Sequence, residues 1–105
     1  MVEAGTKKLY PTSLASELKN ELELSNYPNP FSTSTTIQFQ TPSNTLVSLE
    51  VFDQTGEKVT TLLNEVIPSG IHQLDFDGSI LPGGIYYYQL TVGKYSTTRK
   101  MIHIK

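Results

Sequence analysis

The sequence predicts an all-β fold in which two antiparallel sheets pack face to face as a sandwich. Apolar and polar residues alternate from Thr35 onward, which is the period of a strand that is buried on one side. Small groups of Pro, Gly, Asn and Asp interrupt this alternation at short intervals, as turns do in β-sandwiches. The 105 residues suffice for one domain with a single core.

The first half of the alternating region predicts three strands. "TTIQFQ" ends at the breaker Pro42 to Asn44, and "LVSLEVF" ends at the turn Asp53 to Gly56, where Asp can start a bend and Gly can take a positive φ. "KVTTLL" follows and ends at the turn Pro68 to Gly70. The side chains expected to point inward in the first two strands are Ile37, Phe39, Val47, Leu49 and Val51.

The second half predicts three more strands, and a seventh lies near Leu22 to Ser25. "IHQLDF" ends at the turn pair Asp77-Gly78, and Gly93-Lys94 forms a tight hairpin between "GIYYYQLTV" and "YSTTRKMIHIK". Alternation places Tyr86, Tyr88, Leu90 and Val92 on one face of the first hairpin strand. In the last strand, Ile102 and Ile104 share a face.

The stretch "LPGGIYYY" makes the fold prediction more specific. Tyr86 follows a glycine by two residues at the start of the penultimate strand, which is where the tyrosine corner lies in immunoglobulin-type sandwiches. Tyr88 then occupies the position of the second cysteine of such domains. The expected fold is therefore an immunoglobulin-like antiparallel β-sandwich of about seven strands, with Tyr86 in a structural role.

Residues 1 to 24 are expected to be a linker or tether that precedes the domain at residues 25 to 105. Leu14, Leu18 and Leu22 lie four residues apart, so a helix of about two turns is the alternative for part of this segment. So short a helix is marginal in water unless it packs against something.

The segment "NYPNPF" stands immediately before the first long strand. Pro28 and Pro30 fix φ and favour extended conformations at Tyr27 and Asn29. We expect Tyr27 and Phe31 to close the open end of the core. The prolines cannot donate to a ladder, so the segment, Tyr27-Pro28-Asn29-Pro30-Phe31 in full, is expected to cap a sheet edge in an architectural role.

Composition excludes several classes of function. The net charge of −2 gives no basic field for a nucleic acid or an anionic membrane surface. The absence of cysteine excludes disulfides, thiolate metal sites and cysteine nucleophiles. No apolar run reaches the roughly 20 residues that cross a bilayer, and the N-terminus lacks the apolar region of a secretory signal. We expect either an intracellular protein or a fragment whose export signal lies elsewhere.

Residues with catalytic or metal-binding chemistry are few. His72 and His103 are isolated in strands and are expected to face solvent. Asp53, Asp75 and Asp77 could suggest a calcium site, but each stands at or near a strand end, so turn formation is the better explanation. No serine elbow, phosphate loop or metal-spaced pair is present. The prediction is a protein that is not an enzyme and has no metal or cofactor.

The tyrosines allow the interpretation that the chain is a carbohydrate-binding accessory module of a secreted enzyme. Alternation leaves Tyr87 on the outer face, and Tyr95 could join it across the hairpin as a small stacking patch. Because Tyr86 and Tyr88 point inward and tryptophan is absent, this patch would be small.

Five motifs in order resemble one bacterial family: "NYPNPF", the Ser/Thr run into "TTIQF", "VFDQTGEKV", "LPGGIYYYQL" and "RKMIHIK". Over about residues 24 to 105 the chain resembles the type A C-terminal sorting domains of the type IX secretion system of Bacteroidetes, which are related to the immunoglobulin-like domain of the flagellar hook-capping protein. The resemblance implies passage through the periplasm, recognition by the outer-membrane translocon, and delivery to the cell surface or medium. It also implies a covalent cargo domain N-terminal to this chain and a sortase-like surface peptidase that cuts in the linker.

In that family the recognition determinants lie in the last two strands. The resemblance carries them to Gly84, Tyr86, Gly93, Lys100, Ile102, Ile104 and Lys105. For the last strand, charges that simply keep an edge from pairing are an equal alternative on physical grounds. A structural spacer or assembly domain remains an alternative for the whole chain, although such a domain is expected in mid-chain, whereas "HIK" ends this sequence. The oligomeric state stays open.

Overall fold

The computed structural model describes residues 23–42 and 44–105, and it confirms the predicted all-β sandwich. The seven strands are β1 Ser25–Tyr27, β2 Ser34–Thr41, β3 Thr45–Asp53, β4 Lys58–Ile67, β5 Gly70–Asp77, β6 Gly84–Val92 and β7 Tyr95–His103. The segment with helical spacing, Leu14 to Leu22, lies outside the described residues.

The strands form two antiparallel sheets. One sheet has the order β1-β2-β5, and the other has the order β4-β3-β6-β7. The chain therefore changes sheets between β2 and β3, between β4 and β5, and between β5 and β6. This arrangement makes β7 an outer strand of the larger sheet, joined to β6 by the two-residue hairpin at Gly93-Lys94.

The core lies between the two sheets and contains the residues that alternation placed inward. Ile37, Phe39, Val47, Leu49 and Val51 are completely buried. Tyr86, Tyr88, Leu90 and Val92 of β6 are also buried, and only Tyr87 of the three tyrosines faces out. Each fully buried large apolar side chain contributes about 1.5–3 kcal/mol relative to an exposed one, and the chain has no disulfides.

In the last strand, His103 is buried instead of facing solvent as expected. The hairpin pairs Val92 with Tyr95, and continuing that register pairs Tyr86 with Met101 and Gly84 with His103. Met101 and His103 therefore share the inner face with Tyr86, and they are 0% and 2% exposed. The prediction that His103 faces solvent is wrong, because register and not residue type decides the face.

His72 also points toward the core side of its sheet. It pairs with Phe39 in the register of β2 and β5, and the two ring centroids are 5.6 Å apart. Its Nε2 lies 2.8 Å from the carbonyl oxygen of Pro68, which closes the turn before β5. The side chain is half-buried, so the expectation of a solvent-facing His72 is also incorrect.

Candidate functional site

The proline segment, Asn26 to Phe31, carries the chain from the edge of one sheet to the edge of the other. Tyr27 pairs with Thr36 of β2, whereas Phe31 forms a parallel bridge with His103 of β7. The Phe31 N–H donates to the Ile102 carbonyl at 2.9 Å, and the Ile104 N–H donates to the Phe31 carbonyl at 2.7 Å. The expected sheet-edge cap is present, and the edge that it caps is the final part of β7.

Two asparagine side chains complete this connection. Asn29 donates through Nδ2 to the Lys100 carbonyl at 3.2 Å and accepts from the Ile102 N–H through Oδ1 at 3.0 Å. Asn26 accepts from the Tyr88 hydroxyl at 2.8 Å and donates to the Thr35 hydroxyl at 3.0 Å. The segment thus binds both sheets, and it fixes the outer edge of β7 from Lys100 to Ile104.

Only one of the two expected aromatic plugs is buried. Phe31 is 2% exposed, but Tyr27 is 82% exposed, so the prediction that Tyr27 closes the core is wrong. Phe31 instead stacks on the His103 ring, with centroids 4.8 Å apart and planes at 12°. Strand alternation explains the difference, because β1 turns Asn26 toward the interior and Tyr27 away from it.

His103 fills the space beneath Phe31 and holds the loop before β6. Its Nε2 lies 2.6 Å from the Gly78 carbonyl, which can only accept, so Nε2 carries the hydrogen. Nδ1 is buried and has no partner among residues 23–42 and 44–105. A Cβ added at Gly78 would lie 3.0 Å from the Phe31 ring and 3.2 Å from the His103 ring, so a side chain there would force these rings to shift.

The predicted tyrosine corner is confirmed. The Tyr86 hydroxyl donates to the Pro82 carbonyl at 2.6 Å, four residues upstream. Burial, together with the nearby Asp53 carboxylate, raises the pKa of Tyr86. Tyr86 is 5% exposed and fixes the loop before β6 through this bond.

Lys105 is bound to that same loop. Its Nζ donates to the carbonyls of Ser79 at 2.7 Å and Leu81 at 3.1 Å. The approach is close: a Cβ at Gly83 would lie 2.9 Å from the Lys105 Cβ. Gly83 thus permits the last residues to lie against the loop.

The structure brings most of the predicted recognition residues to one end of the domain. Gly84 begins β6 there, Tyr86 supports it from inside, and Ile102, Ile104 and Lys105 lie beside it. Ile102 is 37% exposed and Ile104 is 54% exposed and follows the end of β7. Lys100 is exposed farther along β7, opposite Tyr87, and Gly93 lies at the other end of β6 in the hairpin, with φ 59°.

An open cleft of about 310 Å³ lies next to Gly84, between the β3–β4 turn and the loop before β6. The side chains of Val59, Leu81 and Ile85 are among its apolar lining residues. The Asp53 carboxylate beside it accepts from the Thr55 hydroxyl, the Thr55 N–H and the Glu57 N–H, and these bonds lower its pKa. The Asp53 carboxylate is therefore engaged in hydrogen bonds within the β3–β4 turn, which is the turn-forming role that the sequence indicated.

The other acidic residues considered for a metal site have structural partners too. Asp77 accepts from the Ser79 N–H at 2.9 Å, which lowers its pKa, and Asp75 accepts from the Thr36 hydroxyl at 2.9 Å. In the described part of the chain, no group of three or more His, Asp or Glu side chains is arranged to hold a metal ion.

The proposed aromatic patch is not formed. Tyr95 pairs with Val92 beside the hairpin, whereas Tyr87 pairs with Lys100 well along the strands. The prediction that Tyr95 joins Tyr87 is wrong, because the register separates them by five residue pairs.

The sequence did not indicate the hydrogen bonds that Asn26 and Asn29 make to the two sheets, nor the burial of Met101 and His103 in the core. The hairpin register carried the signal for the last two. Asparagines next to prolines in a non-repeating segment gave a weaker signal for the first two, since such side chains often satisfy neighbouring backbone groups.

The protein is a small, all-β antiparallel sandwich. The proline segment binds the outer edge of the last strand and so holds that strand in a fixed position. The chain belongs to the secretion system C-terminal sorting domain family, which matches residues 25–105. The domain is thus a type IX secretion sorting signal, and the family is not a family of enzymes. No curated protein matches the chain. Among the described residues there is no helix long and apolar enough to span a membrane.

Proposed function

We propose that the outer-membrane translocon of the type IX system reads this domain through the exposed surface of β7 and the residues that follow it. The observation that carries the proposal is the fixation of this strand: Asn29 and Phe31 hold the backbone from Lys100 to Ile104 while the side chains of Ile102 and Ile104 remain exposed. A recognition surface needs such an arrangement, because ordering the strand beforehand lowers the entropic cost of binding.

The predicted site residues have different roles in this proposal. Lys100, Ile102 and Ile104 are the contact residues, since their side chains are exposed. Gly84, Tyr86 and Lys105 position the loop and the strand end, and Gly93 permits the hairpin that sets the register of β7.

The route of the protein follows from the sorting function. Export across the outer membrane places the cargo at the cell surface or outside. We propose that the cargo precedes this domain in the same polypeptide and passes through the periplasm. A sortase-like surface peptidase then cuts in the linker, around Pro11 to Asn26, and the cargo is released or anchored.

An export assay tests the proposal. The 105-residue chain is fused to a fluorescent reporter with an ordinary signal peptide and expressed in a host that has the type IX machinery. Export should be lost in a translocon-deficient strain. Retention of the unaltered fusion in the periplasm, with the domain folded, would contradict the sorting role and favour a structural spacer.

Matched variants locate the surface. Ile102→Ser with Ile104→Ser should abolish most export, because it removes two exposed apolar contacts. Leu46→Ser with Val66→Ser is the control: these side chains are 55% and 67% exposed and face each other across β3 and β4. Equal loss in both variants would indicate a general effect on the fold. Point variants are preferable to removal of residues 101 to 105, because Met101 and His103 belong to the core.

A further inference from the structure

Residues 23–42 and 44–105 cover the outer edge of β7 only in part. In an antiparallel pair, alternate residues direct their backbone groups to the partner strand or away from it. The two-residue hairpin at Gly93-Lys94 makes Val92 and Tyr95 a hydrogen-bonded pair, so Ser96, Thr98, Lys100 and Ile102 direct their N–H and C=O groups outward. The bonds of Asn29 to Lys100 and Ile102 agree with this assignment.

The proline segment covers this edge only from the Lys100 carbonyl onward. The Lys100 N–H and both backbone groups of Ser96 and Thr98 have no backbone partner within residues 23–42 and 44–105. Ser96, Thr98 and Lys100 are all exposed. Within the described part of the chain, a short stretch of regular, solvent-facing strand edge therefore has no pairing strand, and such an edge can accept another strand.

The Arg and Lys residues of β7, Arg99 and Lys100, are both positively charged. Arg99 and Lys100 lie in this stretch, Lys94 stands just before the strand, and no Asp or Glu occurs between Gly78 and Lys105. By the alternation of β7, Arg99 belongs to the inner face with Met101. Its side chain is nevertheless exposed, because β7 is an outer strand of its sheet. A basic partner strand would be repelled here, whereas an acidic one would be attracted.

The other outer strands of the sandwich are less suitable. The pairing of β4 with β3 shifts register twice, at Leu49/Glu50 and at Val51/Phe52, and such irregularities hinder pairing along an edge. β1 has only three residues before the prolines. β5 carries exposed Asp75 and Asp77, so its edge has the opposite charge.

We propose that a short acidic strand of the sorting machinery adds to the open edge of β7 beside Ser96 to Lys100, bonding its backbone to that of Ser96 and Thr98 and placing carboxylates near Arg99 and Lys100. This inference rests on the sorting function proposed above and names the partner chemistry for the same strand. The proline segment limits the added strand to about four or five residues, because it already occupies the Lys100 carbonyl.

Export of the reporter fusion tests the backbone bonds. Thr98→Pro removes one outward N–H and leaves the ladder to β6 intact, and Thr98→Val is the matched control that keeps the N–H. We expect the proline variant to lower export about tenfold or more, the equivalent of one or two backbone hydrogen bonds, and the valine variant to leave it unchanged. Thermal unfolding of each purified chain reports its fold.

Charge reversal tests the partner's sign. Arg99→Glu with Lys100→Glu should lower export similarly, whereas Lys58→Glu, in the exposed pair with Glu50, should not. If the unaltered fusion is exported and Thr98→Pro is exported equally well, strand addition is overturned while the sorting function stands. If the charge reversal alone lowers export, strand addition is likewise overturned, because charge without pairing then accounts for recognition. Failure of the unaltered fusion refutes the sorting function itself.

Amide hydrogen exchange gives an independent test that needs no variant. The probe is a synthetic hexapeptide of alternating Glu and Val, and its control alternates Lys and Val. The acidic peptide should slow exchange at the Thr98 and Lys100 amides of the intact chain, and the basic peptide should not. No change at Thr98 with the acidic peptide, or equal changes with both, would overturn the inference.

Discussion

Replacement of Asn29 by alanine should destabilise the domain more than its exposure suggests. The change removes the bond from Nδ2 to the Lys100 carbonyl and the bond from the Ile102 N–H to Oδ1. At about 1 kcal/mol for each bond, the free energy of unfolding should fall by about 2 kcal/mol. For a domain of this size, the Tm should then fall by about 8–16 °C.

Urea unfolding and amide exchange measure the effect. The Ile102 amide should lose protection in Asn29→Ala, whereas amides in β2 should change only with global stability. Gln73→Ala is the control, because it removes a single exposed side-chain bond to Gln38 and should cost less than about 0.5 kcal/mol. If Asn29→Ala costs no more than this control, the proline segment does not fasten β7 and the reasoning fails.

Three further predictions follow from the site. Tyr86→Phe removes the hydroxyl bond to Pro82 and should cost about 1–1.5 kcal/mol in urea unfolding; a neutral effect would contradict its role in the corner. Burial raises the pKa of Tyr88 to about 12, although Arg99 opposes this, so the stabilising contribution of the neutral hydroxyl is complete below about pH 10 and is lost as pH rises toward 12. Unfolding at a series of alkaline pH values should show this loss, and Tyr88→Phe should reduce it. Gly83→Ala should displace Lys105, visible as shifted amide resonances at the chain end, while the core signals stay in place.

Most of the fold could be predicted from the sequence because alternation and turn residues act locally. Ile37, Phe39 and the apolar positions of β3 and β6 are buried as their spacing indicated, and the turn chemistry of Asp53 placed the β3–β4 turn correctly. The tyrosine corner was predictable for the same reason, since donor and acceptor lie only four residues apart.

The site was less predictable because its contacts join residues far apart in the chain. Asn29 and Lys100 are separated by 71 residues, and no local pattern indicates that they meet. The burial of His103, in contrast, could have been predicted. The hairpin pairing of Val92 with Tyr95, continued along β7, places His103 on the inner face, whereas the expectation was based on the usual exposure of histidine.

The long-range contacts also mean that β7 presents a fixed outer edge only in the folded domain. A free peptide with the sequence of β7 lacks β6 to set its alternation, and it lacks Asn29 and Phe31 to hold its outer backbone groups. Closing a loop of about 70 residues costs roughly 4 kcal/mol, so the contact forms only when the intervening sheets hold both ends in place. If β7 is what the translocon reads, the intact domain should compete for export far better than a synthetic β7 peptide at equal concentration. Equal competition would show that the linear sequence alone is recognised, and the display of β7 by the proline segment would then have no part in sorting.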